Sequence, residues 1–169
     1  MSSPAIKIRD AAEADLPGIF EIYNEQVLRG TATFETEPYT TRERQLEWLH
    51  SHKPPRHPVI VAVDSGRIVG WASLSHWSPR QAYSRAAENS VYVHTEHRGR
   101  GIASALMDDL LRRARAAGLG LILARIVEGN PASIRLHEGA DFKLVGIIQR
   151  NGEKFGRLLD VAIYALHLD

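Results

Sequence analysis

The stretch VYVHTEHRGRGIASALMDDLL, from Val91 to Leu111, holds the residues of this chain best suited to chemistry. A β-branched run meets Arg98-Gly99-Arg100-Gly101, and a helical pattern follows. A tight turn needs one glycine at most. Two glycines flanked by two arginines point to a backbone that something negatively charged must approach closely. Amides at a helix start have no partner inside the helix, and the helix dipole adds about half a positive charge there. Glycine removes the Cβ that would block approach and tolerates positive φ, so phosphate oxygens can accept several main-chain N–H bonds together. Two phosphate motifs fail. A P-loop requires Gly-Lys-Ser/Thr, which GRGIAS lacks, and a dinucleotide fingerprint requires a third glycine where Ser104 stands and an acid before Glu128. On these residues alone, an anion cradle and a plain strand-to-helix connection with solvated arginines both remain open.

The elements around this turn read as a mixed α/β sheet. AIKIR (5–9) is a strand, and Asp10 a possible cap for a helix from about Glu13 with Leu16, Ile19, Phe20, Tyr23 and Val27 on one face. TATFETEPY (31–39) is a loop, and residues 40–52 form a second helix capped by Thr40 or Thr41 and stopped by KPPRHP. VIVAV (59–63) and IVGWASLSHW (68–77) form an antiparallel hairpin, and AENSVYV (87–93) leads to the arginine–glycine turn. The following helix pairs Asp108 and Asp109 with Arg112, Arg113 and Arg115 and ends at Gly118 or Gly120. LILARIV (121–127) is a buried strand, residues 130–140 a short helix with Pro131 in its first turn, and a closing hairpin turns at Asn151-Gly152.

With 169 residues the chain fits one domain, 1–169, able to bury a core. A net charge of +1 gives no global field toward nucleic acid or an anionic membrane, so any anion site is local. There is no cysteine, which excludes disulfides, thiolate metal sites and a thiol nucleophile. The opening MSSPAIKIRDAAEADLPG has no long apolar run, so neither signal peptide nor membrane anchor is expected and a cytoplasmic protein is. His94 with His97, and His50 with His52, lack further ligands of the right kind nearby, so no metal is expected. The arginines at 112, 113 and 115 are balanced by acids and read as a solvated helix flank.

HRGRGIA matches Arg/Gln-x-x-Gly-x-Gly/Ala, and with SVYV before it and NPASIRLHE after it the chain resembles the GNAT family of N-acetyltransferases. GTATFETEP, SHWSPRQAYSRAAENSVYVHTEHRGRGIA, ASIRLHE and GEKFGRLLDV resemble its phosphinothricin and methionine sulfoximine acetyltransferase branch, over essentially the whole chain. The resemblance implies an α/β GNAT fold: a mixed, mostly antiparallel, splayed sheet with helices on both faces. It implies acetyl-CoA as cosubstrate, held by Arg98, Gly99, Arg100, Gly101, Ile102, Ala103 and Ser104, by the main chain of Val91, Tyr92 and Val93, and by Asn130. It implies Glu88 as general base, and His137 as a proton donor, a coenzyme contact or an inert packed histidine. Acceptor contacts would come from Thr33, Phe34, Glu35, Ser78, Arg80, Asn89 and Ser90, completed by Lys154 and Phe155, within a homodimer.

The residues themselves support such chemistry. Acyl transfer to an amine needs a neutral amine, donors for the carbonyl oxygen and stabilisation of the leaving thiolate. With no cysteine and no Gly-x-Ser-x-Gly elbow, direct attack by the amine is the simpler route. The expected acceptor is a small amino acid or analogue. A protein N-terminus, a polyamine, a drug amine, or an acyl-CoA sensor without turnover are the alternatives. One departure stands out: the family's Leu-Gly-Phe is here Ala140-Asp141-Phe142, so either Asp141 takes a left-handed conformation or Gly139 shifts the helix cap.

Overall fold

The computed structural model describes residues 6–169; Ala5, the expected start of the first strand, lies outside them. The strands are β1 (Lys7–Asp10), β2 (Val59–Asp64), β3 (Arg67–His76), β4 (Ala86–Val93), β5 (Leu121–Val127), β6 (Lys143–Lys154) and β7 (Arg157–His167). The helices are α1 (Leu16–Arg29), α2 (Arg42–Ser51), α3 (Ile102–Ala116) and α4 (Pro131–Gly139). One seven-stranded sheet runs β1-β2-β3-β4-β5-β7-β6. Every pairing is antiparallel except β4 with β5.

Strand alternation sorts the core onto two faces. Ile60, Ala62, Ala72 and Leu74 pack with Leu106, Met107 and Leu110 of α3, joined by Ile134 and Leu136 of α4. Val59, Val61 and Trp71 pack on the other face with Leu16, Ile19 and Phe20 of α1 and with Leu46 and Trp48 of α2. Helices therefore cover both faces, as the resemblance implies.

The sheet opens in its middle. β4 and β5 pair only through Ala86–Glu88 and Leu121–Leu123. Beyond that point β4 stays on β3 up to Val93, and β5 stays on β7 up to Val127. The two halves part around a wedge, at whose mouth α3 begins.

Several local expectations are corrected. Residues 13–15 form a 3-10 turn, and α1 begins at Leu16 with Pro17 in its first turn. Asp10 caps nothing; its carboxylate meets Arg113 at 2.6 Å, while Asp15 accepts the Ala12 amide at 2.8 Å. Thr41, not Thr40, caps α2 by accepting the Arg44 amide. The closing hairpin turns at Phe155-Gly156, where φ is 53 and 69, and not at Asn151-Gly152. Asn151 and Gly152 lie within β6, at a bulge between Ile148 and Gly152. The local turn signal yields there to packing: Lys154 is sealed beneath the strand end.

At the end of α4, Asp141 takes the left-handed conformation itself, with φ 68. Its amide reaches the Glu138 carbonyl at 3.1 Å and the Phe142 amide reaches the His137 carbonyl at 3.0 Å, the Schellman pattern with aspartate where glycine is usual. Phe142, 1 % exposed, packs edge-on against the His137 ring. Asp141→Gly should therefore raise stability by about 0.5–1 kcal/mol, and Asp141→Val should lower it by more than that. Urea unfolding of the three proteins checks the order; equal midpoints would refute it.

Candidate active site

The wedge is a cleft of about 650 Å³ between the parted ends of β4 and β5, bounded by the start of α3, by α4 and by Gln26, Thr31 and Ala32. At its mouth Gly99 and Gly101 have φ 73 and 77, and a Cβ on either would meet nothing within 4 Å. Gly101 stands at the N-cap with no side-chain cap, and its carbonyl accepts the Ala105 amide at 3.0 Å. The amides of Ile102, Ala103 and Ser104 have no acceptor among the described residues. They are a ready anion cradle. Arg98 borders the cleft, whereas Arg100 turns aside to Asp64 at 3.1 Å. Only one of the two arginines therefore adds its charge to the cradle.

On β4 the period of two separates two jobs. Ala87, Val91 and Val93 lie on the α3 face, whereas Tyr92 packs on the α1 face. By alternation Glu88 and Ser90 share the face of Tyr92, and Asn89 lies opposite them. Asn89 is buried against Met107 and His137 on that opposite face, and it lines the cleft together with Ser90. Asn130 caps α4, its Oδ1 accepting the Ser133 amide at 3.2 Å, and it also lines the cleft.

His137 is 5 % exposed, and its hydrogen bonds fix its tautomer. Nδ1 lies 2.7 Å from the Ser133 carbonyl, which can only accept, so Nδ1 carries the proton. Burial lowers its pKa and keeps the ring neutral. Nε2 then accepts from Asn89 Nδ2 at 3.0 Å. In this state His137 Nε2 is occupied by Asn89, whose buried Oδ1 has no partner among the described residues.

Glu88 sits where β4 and β5 cease to pair. Burial raises its pKa, and Arg125, whose Nη1 is 3.4 Å away, opposes that rise. No hydrogen bond reaches its carboxylate from the described residues, so a counterion is present and the oxygens remain available. Arg125 also lies over the Trp77 ring at 4.8 Å. Arg125 and Trp77 were not among the expected site residues. The available signal was one charged side chain within the apolar run LILARIV.

The other expected acceptor residues are scattered. Ser90 lines the cleft. Thr33 bonds Tyr23 at 2.9 Å, Phe34 packs on Val127, Leu159 and Val161, and exposed Glu35 lies 3.8 Å from Arg44. Ser78 is half-buried and Arg80 exposed on the segment between β3 and β4, neither of them lining the cleft. Phe155 is exposed at the hairpin tip, and Lys154 is buried. His94 and His97 do have a third potential ligand beside them: Glu96 places a donor atom within 4.8 Å of theirs. The nearest neighbour of His94 Nε2 is the Arg67 guanidinium at 3.0 Å, a cation where a metal would need none.

The family model described as the acetyltransferase (GNAT) family matches residues 17–142. An L-methionine sulfoximine/L-methionine sulfone acetyltransferase of Pseudomonas paraeruginosa is 41 % identical over 96 % of this chain and 94 % of its own length. A phosphinothricin N-acetyltransferase of Streptomyces coelicolor is 38 % identical over 94 % of each chain. The crystal structure of a GNAT superfamily phosphinothricin acetyltransferase from Sinorhizobium meliloti in complex with acetyl-CoA superposes with a TM-score of 0.90, at 38 % identity, over 96 % of this chain and 88 % of that one. The chain belongs to the GNAT acetyltransferase family. It is an N-acetyltransferase, and its splayed sheet is the GNAT fold.

In this GNAT chain the arginine–glycine turn tests most directly whether the α3 amides hold an anion. Gly101→Val puts a β-branched residue at φ 77 and should weaken coenzyme A binding at least about tenfold, with α3 otherwise kept by its buried face. Titration calorimetry with coenzyme A reads the change. Unaltered affinity would show that the diphosphate binds elsewhere.

Proposed function

We propose that this protein transfers the acetyl group of acetyl-CoA to the amine of a small amino acid or analogue of the phosphinothricin and methionine sulfoximine kind. The observation that carries the reading is Glu88: a half-buried carboxylate, paired with one cation and with no hydrogen bond from the described residues, at the point where β4 and β5 part and next in sequence to the cleft residues Asn89 and Ser90. The names of the relatives support the acceptor class.

The residues fit acetyl-CoA. Three unpartnered amides and Arg98 suit a diphosphate, and the unpaired inner edges of β4 and β5 leave room for an amide-bearing arm between them. Bound there, acetyl-CoA supplies the acetyl group as an activated thioester. The chain does the rest. An α-amino group is mostly protonated at neutral pH, since its pKa is near ~8. Glu88 binds that ammonium and takes its proton, directly or through one water, so that the nitrogen lone pair is free to attack. Arg125 keeps Glu88 ionised and is placed to meet the carboxylate of an amino-acid acceptor. A cytoplasmic setting is part of the same proposal; among the described residues no helix is long and apolar enough to cross a membrane.

A homodimer belongs to the same proposal. β6 is the outermost strand, and Leu144, Val145, Ile147 and Ile148 along it are exposed, Val145 at 67 % and Ile147 at 59 %. An apolar edge strand open on both faces suits a second copy of the chain. Val145→Lys with Ile147→Lys should yield a monomer by sedimentation velocity; a wild-type protein already monomeric at micromolar concentration would remove this part.

Glu88→Gln should lower kcat about 100-fold or more at pH 7 in a thiol-release assay with phosphinothricin and methionine sulfoximine. Because burial raises the Glu88 pKa, activity of the native protein should fall as pH drops through a point above the ordinary carboxylate range. The variant should lose that acid limb and recover toward high pH, where the amine deprotonates unaided. Unchanged turnover in Glu88→Gln across pH would remove the base. Turnover only with peptide N-termini, polyamines or drug amines would overturn the acceptor class.

A further inference from the structure

Lys154 is the last residue of β6 and only 3 % exposed. Its Nζ donates to the Thr33 carbonyl at 2.8 Å and to the Gln26 carbonyl at 3.1 Å. No carboxylate lies within salt-bridge distance among the described residues, and burial lowers its pKa. Burying an ammonium is costly unless its donors find acceptors, and here main-chain oxygens take two of the three. Gln26 belongs to the final turn of α1, where the helix dipole favours a cation, and its carbonyl also accepts the Gly30 amide at 3.0 Å. A direct contact between Lys154 and an acceptor, as the resemblance implied, would require breaking these bonds.

Of the two residues whose carbonyls Lys154 holds, Gln26 lines the cleft and Thr33 directly follows the lining residues Thr31 and Ala32. The loop from Gly30 to Pro38 has no helix or strand of its own. Other ties reach the same loop from the same side. The Tyr92 hydroxyl donates to the Ala32 carbonyl at 3.1 Å, and Tyr92 shares the β4 face of Glu88. Phe34 lies so close over β6 that a Cβ on Gly152 would come within 2.3 Å of its ring. Two residues of β6, Gly152 and Lys154, thus receive the loop.

We propose that Lys154 is a positioning residue for amine binding: its ammonium clamps the carbonyls of Gln26 and Thr33, and so fixes the loop that walls the Glu88 side of the cleft. The inference rests on the acceptor reading above. The anion cradle on α3 shares no bond with this clamp, so cofactor binding and amine binding should separate when it is removed.

Lys154→Met keeps the chain length and removes every donor. At saturating acetyl-CoA it should raise KM for the acceptor amine about tenfold or more, with kcat within about threefold and coenzyme A affinity within about twofold. Lys154→Arg should restore part of the loss. Hydrogen exchange of residues 30–38 should quicken at least about fivefold in the variant while α3 is unchanged. If the methionine variant does not fold, Lys154→Gln is read by the same exchange measurement. An unaltered amine KM, or loss of coenzyme A affinity in parallel with it, would overturn the proposal. So would unchanged exchange in the loop. A native protein that acetylates no amine would sink the acceptor reading alone, because the exchange experiment still decides the clamp.

Discussion

The parting of β4 from β5 is the constraint on which the rest depends. Main-chain N–H and C=O groups inside a sheet are obligatory hydrogen-bonding groups, and leaving a run of them unpaired is unfavourable. Here the ladder stops after Glu88 and Leu123, although both strands continue. The opening survives because each half is complete without the other. β4 is locked to β3 residue by residue from Ala87 to Val93, and β5 to β7 along its whole length. Two well-paired half-sheets share a short hinge, and the polar edges exposed between them are where a ligand gains most from binding.

That geometry also explains how few side chains the cleft requires. The groups that suit a cofactor are main-chain amides, at the unpaired edges of two strands and at the start of α3. Side chains are left for orientation and proton transfer. Alternation along β4 then assigns them: Asn89, Val91 and Val93 face the α3 core, whereas Glu88 and Ser90 share the opposite face with Tyr92. The same period that builds the core thus divides the polar residues of β4 between two faces.

What could be read from the sequence was what depends on local pattern. The arginine–glycine turn, the amphipathic α3 and the capping residues Thr41 and Asn130 are carried by neighbours in the chain, and the structure has them where the pattern puts them. The hairpin turn was misplaced because Asn-Gly is only a local preference. Bonds from Lys154 to carbonyls more than a hundred positions away, and Phe34 seated on Gly152, hold β6 in pairing past that point. The partners of Glu88 were equally illegible. Arg125 reaches it across a parallel pairing that no spacing in the sequence encodes. His137 was recognised as a candidate by type, yet its role turned on which of its nitrogens meets a carbonyl, a fact that only the fold supplies.

The two buried charges of this region show how environment separates chemistry from architecture. Among the described residues Lys154 has hydrogen bonds and no ion-pair partner, whereas Glu88 has an ion-pair partner and no hydrogen bond. Short directional bonds to fixed carbonyls hold an ammonium in one place, and moving it would leave its donors unpaired. A guanidinium at 3.4 Å keeps a carboxylate charged but leaves its lone pairs unfilled. Both groups are desolvated, and desolvation disfavours the charged form of each. Of the two, only the carboxylate has acceptor sites that no group of the described fold fills, which is the property that the proposed base role needs.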